Sequence, residues 1–504
     1  MKEYSQSLLT LLPQASSTLA ALPFDRSVNI RGLSLDSRKV QPGDLFFARD
    51  GAHHRGADFI AQATQRGAAA VMVQQGTLDA PERMAVTVPL LEVDDLDAVM
   101  GQVASRFYDN PSHDLKVIGI TGTNGKTSCS SYVAQALELL GHRCAIIGTL
   151  GNGFVDALQP ATHTTPDPIS LQALLADFRL QGAEYVVMEV SSHALDQKRV
   201  AGVRFTAAGF TNLTRDHLDY HGDMARYGDA KARLFKDYAP PLQAINLDDV
   251  FGRTLFEQQA SKPSRVLGFG SVEPGVDVSA KQLKFEPRGC HFELATPEGG
   301  CTVHASLLGG FNISNLLLTA TLLHLLGFRL EQVVTVLGGL KPVPGRMECL
   351  KSVAGRALVV VDYAHTPDAL AQALQALRVH QPDSGRLWCV FGCGGDRDTG
   401  KRPEMGTVAA ELADRLVLTS DNPRSEPPER IIKDVMAGVP ATARLHVEPD
   451  RALAIEWAIT HASEDDLVLI AGKGHESYQE VAGIRHPFSD HEHAMRVLQQ
   501  GAEV

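Results

Sequence analysis

The sequence predicts an α/β protein built in three segments. Short apolar stretches alternate with helical patterns, and two clusters of turn formers interrupt the chain. One strand runs through a glycine turn directly into a helix. At 504 residues the chain has room for about three or four domains. With 44% hydrophobic and 21% charged residues it has an ordinary globular composition. The net charge of −12 argues against a nucleic-acid partner, because no excess of Lys and Arg exists to displace phosphate counterions.

The first segment, residues 1–110, holds predicted strands at Asp44–Ala48 and Ala68–Val73 around a helical Ala57–Arg66. Near its start, Leu8, Leu9, Leu11 and Leu12 precede Pro13 without a signal-peptide layout. No apolar run in the chain approaches the roughly 20 residues of a membrane span. Asp109-Asn110-Pro111-Ser112 marks the first break. The second segment, 111–340, alternates helices with apolar strands such as Tyr185–Val190 and Ala207–Phe210, which argues for βαβ units and a mainly parallel sheet. Lys341-Pro342-Val343-Pro344-Gly345 is the second break. The third segment, 341–504, repeats the alternation with strands expected at Ala357–Val361, Leu387–Phe391, Arg415–Thr419 and Leu467–Ala471. Polar clusters follow each of those strands, where an open α/β sheet binds its ligands. Seven cysteines without repeated close spacing suit a reducing cytoplasm and buried thiols.

The most informative stretch is Val117-Ile118-Gly119-Ile120-Thr121-Gly122-Thr123-Asn124-Gly125-Lys126-Thr127, followed by Ser128 and the helical pattern Tyr132, Val133, Ala136, Leu137, Leu140. A strand, a glycine turn and a helix start aim backbone N–H groups at one point, where a polyphosphate sits. Lys126 adds a compact positive charge, and the Thr127 hydroxyl can ligate Mg²⁺. Ile120 occupies the place of the first glycine in the usual phosphate-loop pattern. This chain is expected to use ATP. Glu189, closing a strand near that loop, is a natural Mg²⁺ ligand. His217 and His221 are four residues apart, but the Glu of a zinc HExxH motif is absent. A role for His217 beside Mg²⁺ or phosphate fits better, with His221 on the surface. Lys231 reads by itself as an ordinary helix lysine, although CO₂ could convert it to an anionic carbamate.

Gly392-Cys393-Gly394-Gly395-Asp396-Arg397-Asp398 has Arg397 where a dinucleotide fingerprint needs glycine, so it is not read as an NAD site. A guanidinium on a glycine loop suits a carboxylate, through paired N–H donors. Asp421-Asn422-Pro423-Arg424 again presents an acid and a guanidinium on a turn. With Glu476 these groups can hold a zwitterion; intramolecular salt bridges are the alternative reading.

Together these motifs resemble the Mur ligase family, ATP-dependent amide-forming enzymes of bacterial cell-wall precursor synthesis. The resemblance runs from Leu35-Asp36-Ser37-Arg38 to Gly472-Lys473-Gly474-His475-Glu476, nearly the whole chain. It implies an N-terminal UDP-binding domain, a central P-loop ATPase domain and a C-terminal Rossmann-like domain. The match is best to members that add meso-diaminopimelate to UDP-N-acetylmuramoyl-L-alanyl-D-glutamate. In these members an Asp-Asn-Pro-Arg motif, here Asp421 to Arg424, recognises the far end of the amino acid. The resemblance implies that Leu35, Ser37, Ala52, His53 and His54 contact the uridine nucleotide. It places Thr164, Thr165, Ser191, Gln197 and Arg199 on the muramoyl-dipeptide, with His163 standing where relatives commonly carry asparagine. Gly122 to Ser128, Asn312, Arg346 and Asp362 would bind ATP. Thr127, Glu189, His217 and a carbamylated Lys231 would surround Mg²⁺, so Lys231 is more than a helix lysine. Lys126, Lys231 and His217 would be the catalytic residues. Arg397, Gly472 and Glu476 would join Asp421, Asn422, Pro423 and Arg424 around diaminopimelate. The implied enzyme is cytoplasmic and monomeric.

Two alternatives differ in residues. A lysine-adding relative would lack the Asp421 to Arg424 turn, and Thr127 with the muramoyl-site positions argues against a folylpolyglutamate-type enzyme. A nucleotide-dependent switch would carry a guanine-reading Asn-Lys-x-Asp motif, which the sequence does not contain.

Overall fold

The computed structural model describes residues 4–12, 28–51, 54–272, 275–350 and 355–500. Its contacts divide the chain into two compact units. One comprises Met1–Val276 with Thr321–Phe328, the other Asp277–Ala320 with Arg329–Val504. Ala52 and His53, expected on the uridine nucleotide, lie outside the described residues.

Among the described residues the first unit carries a two-stranded antiparallel pair, Gln6–Ser7 with Asn29–Ile30, and two larger sheets. The smaller of these two sheets is parallel, in the order Gly32–Ser34, Asp44–Ala48, Ala70–Gln74, Leu90–Val93. The expected helix at 57–66 appears as a 3₁₀ turn, Gly56–Phe59, running into an α-helix, Ile60–Gln65. At the first expected break, Asp109 and Asn110 take left-handed backbone (φ 59° and 48°) before the 3₁₀ turn Pro111–His113. The larger sheet is parallel through Cys144–Gly148, Tyr185–Glu189, Lys116–Thr121, Phe205–Phe210, Leu242–Asn246 and Arg265–Gly270. Two short antiparallel strands, Gly151–Phe154 and Ala157–Gln159, extend it beside Cys144–Gly148. Lys116–Thr121 is buried from Val117 onward, as expected of a parallel strand covered on both faces.

In the second unit, residues 278–305 depart from the expected parallel pattern. Val278–Glu286, Gly289–Thr296 and Gly299–Ala305 form an antiparallel meander. The connections, Pro287-Arg288 and Pro297-Glu298, are two residues long, too short for a parallel crossover. A six-stranded sheet runs Glu348–Cys349, Leu358–Asp362, Leu467–Ala471, Leu387–Phe391, Arg415–Leu418, Leu445–Val447, all parallel except the first pair. Its side chains alternate cleanly. Leu467, Leu469 and Ala471 pack on one face with Leu370, Leu374, Met405 and Ile431, while Val468 and Ile470 pack on the other with Ile455, Ile459 and Val497.

Beneath the C-terminal ends of these strands lies a fully buried ion pair. Arg451 donates Nε and Nη2 to the two Asp490 carboxylate oxygens at 2.7 Å each. Its remaining N–H groups reach the carbonyls of Ser420 (3.2 Å) and Ala471 (2.9 Å). Removing one partner leaves an uncompensated buried charge, so Asp490→Ala should lower stability by about 3–5 kcal/mol. Urea unfolding checks this; a loss below about 1 kcal/mol would contradict the account. All seven cysteines are free thiols; Cys129, Cys144, Cys290, Cys389 and Cys393 are buried, whereas Cys301 and Cys349 are partly exposed. Among the described residues no helix is long and apolar enough to cross a membrane.

Candidate active site

In the first unit the strand Lys116–Thr121 ends at a loop that the helix Lys126–Leu139 continues. Gly122 has φ 148°, and a Cβ there would stand 1.8 Å from Thr211 Oγ1, so only glycine fits. Gly125 is the N-cap in left-handed backbone (φ 84°) and brings no side-chain acceptor, which leaves first-turn N–H groups directed at an external anion. The loop is pinned from outside. Thr123 N donates to Asn212 O (2.8 Å), Asn124 N to Asn212 Oδ1 (2.9 Å), and Thr211 Oγ1 to Asn124 O (2.6 Å). Lys126 Nζ donates to the carbonyls of Gly122 and Thr123 at 2.9 and 2.8 Å. Ser128 is buried in the first helical turn.

Lys231 is 1% exposed on the helix Met224–Lys236. Its Nζ donates to Gly122 O at 2.6 Å and lies 4.3 Å from the centre of the Tyr227 ring. Burial, and then the neighbouring Lys126 charge, lowers its pKa well below the usual lysine value. Burial pushes the Tyr227 phenol up to about 12, and its hydroxyl lies 3.1 Å from Thr123 Oγ1.

Glu189 closes its strand with 1% exposure. Its Oε2 accepts from the hydroxyls of Thr127 (2.9 Å) and Thr149 (3.2 Å), and Oε1 accepts from Thr149 N (2.7 Å). These donors are neutral, and no cationic side chain pairs with Glu189 among the described residues. A buried carboxylate set against a phosphate-type loop without a cation fits a Mg²⁺ ion, which takes one or two carboxylates and completes its shell from phosphate and water. Among the described residues no three His, Cys, Asp or Glu side chains converge on a cation position. Thr149, which sequence reasoning missed, also bonds Thr164 Oγ1 at 3.0 Å. Its signal was its position at the end of a parallel strand.

His217 is exposed, with left-handed backbone (φ 52°), and its Nε2 lies 3.4 Å from Asp216. Its ring meets that of His193 edge-on at 4.9 Å. His221 is not on the surface. It is buried, 3.0 Å from Ser192 Oγ and packed on Tyr227, because the short helix Leu218–His221 turns it inward.

The other residues of this unit fall into two groups. Thr165 Oγ1 donates to Glu189 O (2.9 Å) and accepts from Ser191 N (3.1 Å), while Ser191 Oγ caps the helix Ser192–Asp196. Arg199 clamps Gln197 Oε1 through Nε (2.9 Å) and Nη2 (2.7 Å) and reaches Thr165 O (3.2 Å). Burial, together with nearby Arg49, lowers the Arg199 pKa. Thr164, Thr165, Ser191, Gln197 and Arg199 are thus linked around the end of the Glu189 strand. On the smaller sheet, Ser37 is buried and donates to Gln62 Oε1 (2.6 Å), Leu35 packs on the local core, and His54 is exposed against Phe59.

In the second unit four adjacent strand ends surround a cavity of about 460 Å³. Arg397, Arg424, Asp421, Asn422 and Glu476 line it, along with Tyr363 of the strand-end cluster Asp362–His365 and Lys401, which sequence reasoning did not single out. The glycine loop and the Asp421–Arg424 turn interlock. A Cβ on Gly395 would stand 1.9 Å from Pro423 O, and Gly395 N donates to Asn422 O at 2.9 Å. Arg424 has left-handed backbone (φ 51°) and donates Nη1 to Gly395 O at 2.7 Å. Gly472 is buried beside Asp421, whose Oδ2 would stand 2.7 Å from a Cβ on it. Below the cavity, fully buried Arg402 holds Glu426 (2.6 and 3.0 Å), which accepts from Asp396 N at 2.7 Å and so braces the loop that carries Arg397.

Of the residues expected on the rest of ATP, Asp362 accepts from Met347 N (2.7 Å) and Ala364 N (2.9 Å), and burial raises its pKa. Arg346 lies over the Tyr363 ring at 4.9 Å. Asn312 is buried at the start of the helix Gly310–Leu325, with Nδ2 donating to Leu308 O at 2.7 Å.

Three family models match the chain in series. They are described as Mur ligase family, catalytic domain (residues 29–108); Mur ligase middle domain (120–323); and Mur ligase, glutamate ligase domain (345–474). Among curated relatives, UDP-N-acetylmuramoyl-L-alanyl-D-glutamate–2,6-diaminopimelate ligase of Chromobacterium violaceum is 49% identical, covering 96% of this chain and 97% of its own. The protein of that name from Pseudomonas aeruginosa is 48% identical over 98% of both chains. A solved structure of a ligase with the same name superposes with TM-score 0.78 at 36% identity, covering 99% of this chain and all of that one. MurF ligase from Thermotoga maritima in complex with ADP, 19% identical, shares the fold at TM-score 0.57, covering 94% of this chain and 97% of its own.

Proposed function

The chain belongs to the Mur ligase family, and from that premise we propose that it joins meso-diaminopimelate to UDP-N-acetylmuramoyl-L-alanyl-D-glutamate at the expense of ATP, in the cytoplasmic synthesis of peptidoglycan precursors. It acts as a monomer of three domains. Residues 1–110 hold the uridine nucleotide, 111–340 hold ATP, and 341–504 form a Rossmann-like domain for the amino acid. The observation that carries the choice of amino acid is the cavity where Arg397 and Arg424 stand with Asp421 and Glu476, a donor and acceptor set matched to a zwitterion.

In this reading Leu35, Ser37, Ala52, His53 and His54 contact the uridine nucleotide, and Thr164, Thr165, Ser191, Gln197 and Arg199 hold the dipeptide. The γ-carboxylate of the D-glutamyl residue attacks the γ-phosphorus of ATP and ADP leaves, giving an acyl phosphate. The amine of diaminopimelate then attacks the acyl carbon. Its proton is lost, with His217 proposed as acceptor, and the C–O bond to phosphate breaks. Phosphoryl transfer is mostly positioning and charge neutralisation. The Gly122–Ser128 loop and Lys126 hold the transferring phosphate, while Asn312, Arg346 and Asp362 serve the rest of ATP. Thr127, Glu189, His217 and Lys231 as its carbamate are the residues that would hold Mg²⁺. That ion, when bound, neutralises phosphate charge. Lys231 supports its part through its buried, neutral-leaning amine, since only an unprotonated amine adds to CO₂.

Incubating the protein with ATP, the UDP-dipeptide and single amino acids tests the reading. ADP, phosphate and a UDP-tripeptide should form with meso-diaminopimelate and poorly with lysine. A preference for lysine or glutamate, or nucleotide binding without phosphate release, would contradict it. Arg424→Ala, which removes the guanidinium together with its bond to Gly395 O, should cost about 1.5–3 kcal/mol in recognising diaminopimelate. Steady-state KM values check this, with the KM for ATP serving as control. An unchanged KM for diaminopimelate and an unchanged preference over lysine would refute the contact.

A further inference from the structure

Lys473 is fully buried, yet its charge faces the residues that line the amino-acid cavity rather than the apolar core. Its Nζ donates to Glu476 Oε2 at 3.0 Å and to Asn422 Oδ1 at 3.1 Å, and lies 5.5 Å from the centre of the Tyr478 ring. Asn422 completes the arrangement. Its Nδ2 donates to the same Glu476 oxygen at 2.9 Å, and its Oδ1 also accepts from Glu480 N at 2.9 Å. Two buried donors therefore take up Glu476 Oε2, and two fix the orientation of the Asn422 amide. Among the described residues Glu476 Oε1 accepts no hydrogen bond. It is the one carboxylate oxygen of Glu476 left for a ligand in the cavity that Glu476 lines.

We propose that Lys473 is the positioning residue of the amino-acid site. By holding one oxygen of Glu476 and the amide of Asn422, it presents the other oxygen of Glu476 to an ammonium group of the incoming amino acid. An ammonium suits this task because it donates in several directions from one buried point and accepts from none. A carboxylate left to rotate would accept the ligand's ammonium in many orientations, and the entropy of ordering it would weaken binding. Lys473 itself touches no substrate. The proposal rests on the reading of this cavity as the diaminopimelate site.

The test is a double-mutant cycle in the full-length enzyme, with Lys473→Met, Glu476→Gln and the pair. Lys473→Met should raise the KM for diaminopimelate at least tenfold and leave the KM values for ATP and the UDP-dipeptide within twofold. The double variant should be no worse than the poorer single variant, because both changes disable one carboxylate. Lys473→Gln, which keeps an N–H donor on a shorter stem, should recover part of the loss, and it carries the same cycle should the methionine variant not fold. Multiplying penalties, a parallel rise of all three KM values, or an unchanged KM for diaminopimelate would overturn the role. A wild-type enzyme that forms no product with diaminopimelate would overturn the reading of the site instead.

Discussion

Lys126→Ala should lower turnover at least about 10³-fold, equivalent to roughly 4 kcal/mol of transition-state stabilisation, while the protein stays folded. Removal of a cation from a developing phosphoryl charge is among the largest single losses an enzyme can suffer. The fold should tolerate it because Lys126 is only partly buried and donates to loop carbonyls of Gly122 and Thr123. The loop itself is held by Asn212 and Thr211. Phosphate release with ATP, the UDP-dipeptide and diaminopimelate measures the effect, with a thermal melt as control. Near-normal ligation by a folded Lys126→Ala protein would rule out the nucleotide assignment.

The second large effect falls on Lys231. Lys231→Ala should be inactive, and a short carboxylate such as acetate should restore part of the activity by standing where the carbamate stood. Wild-type enzyme stripped of CO₂ should lose activity and regain it on adding bicarbonate. Carbamylation consumes a neutral amine and CO₂ and releases one proton, so acid favours its loss. Burial and the adjacent Lys126 lower the Lys231 pKa well below the usual lysine value, which keeps neutral amine available at lower pH than for an exposed lysine. A fully active alanine variant would refute the role. An inactive variant that no carboxylate rescues would reduce Lys231 to a packing residue beside Gly122.

Much of this was legible from residues in sequence order. Asp44–Ala48, Leu387–Phe391 and Leu467–Ala471 were read with the bounds they have, because strands covered on both faces are continuous apolar runs. The loop Gly122–Thr127 was legible because strand, turn and helix are contiguous. The burial of Lys231 was not, since it depends on Gly122, 109 positions away in the chain. Lys473 escaped for the same reason, its partner Asn422 lying 51 residues away. His221 was misplaced because a four-residue helix, Leu218–His221, gives no periodic signal to orient it. The meander at 278–305 was missed because its strands carry exposed residues such as Lys281, Gln282 and Lys284 and do not form apolar runs.

In the proposed reaction a carboxyl group is activated as an acyl phosphate before an amine captures it. Supplying UDP-N-acetylmuramoyl-L-alanyl-D-glutamate labelled with ¹⁸O in its γ-carboxylate, and reading the mass of the released phosphate, tests this directly. One ¹⁸O should appear in each inorganic phosphate formed with the tripeptide product, and ADP should be the nucleotide released. Unlabelled phosphate, or AMP and pyrophosphate as products, would contradict the account.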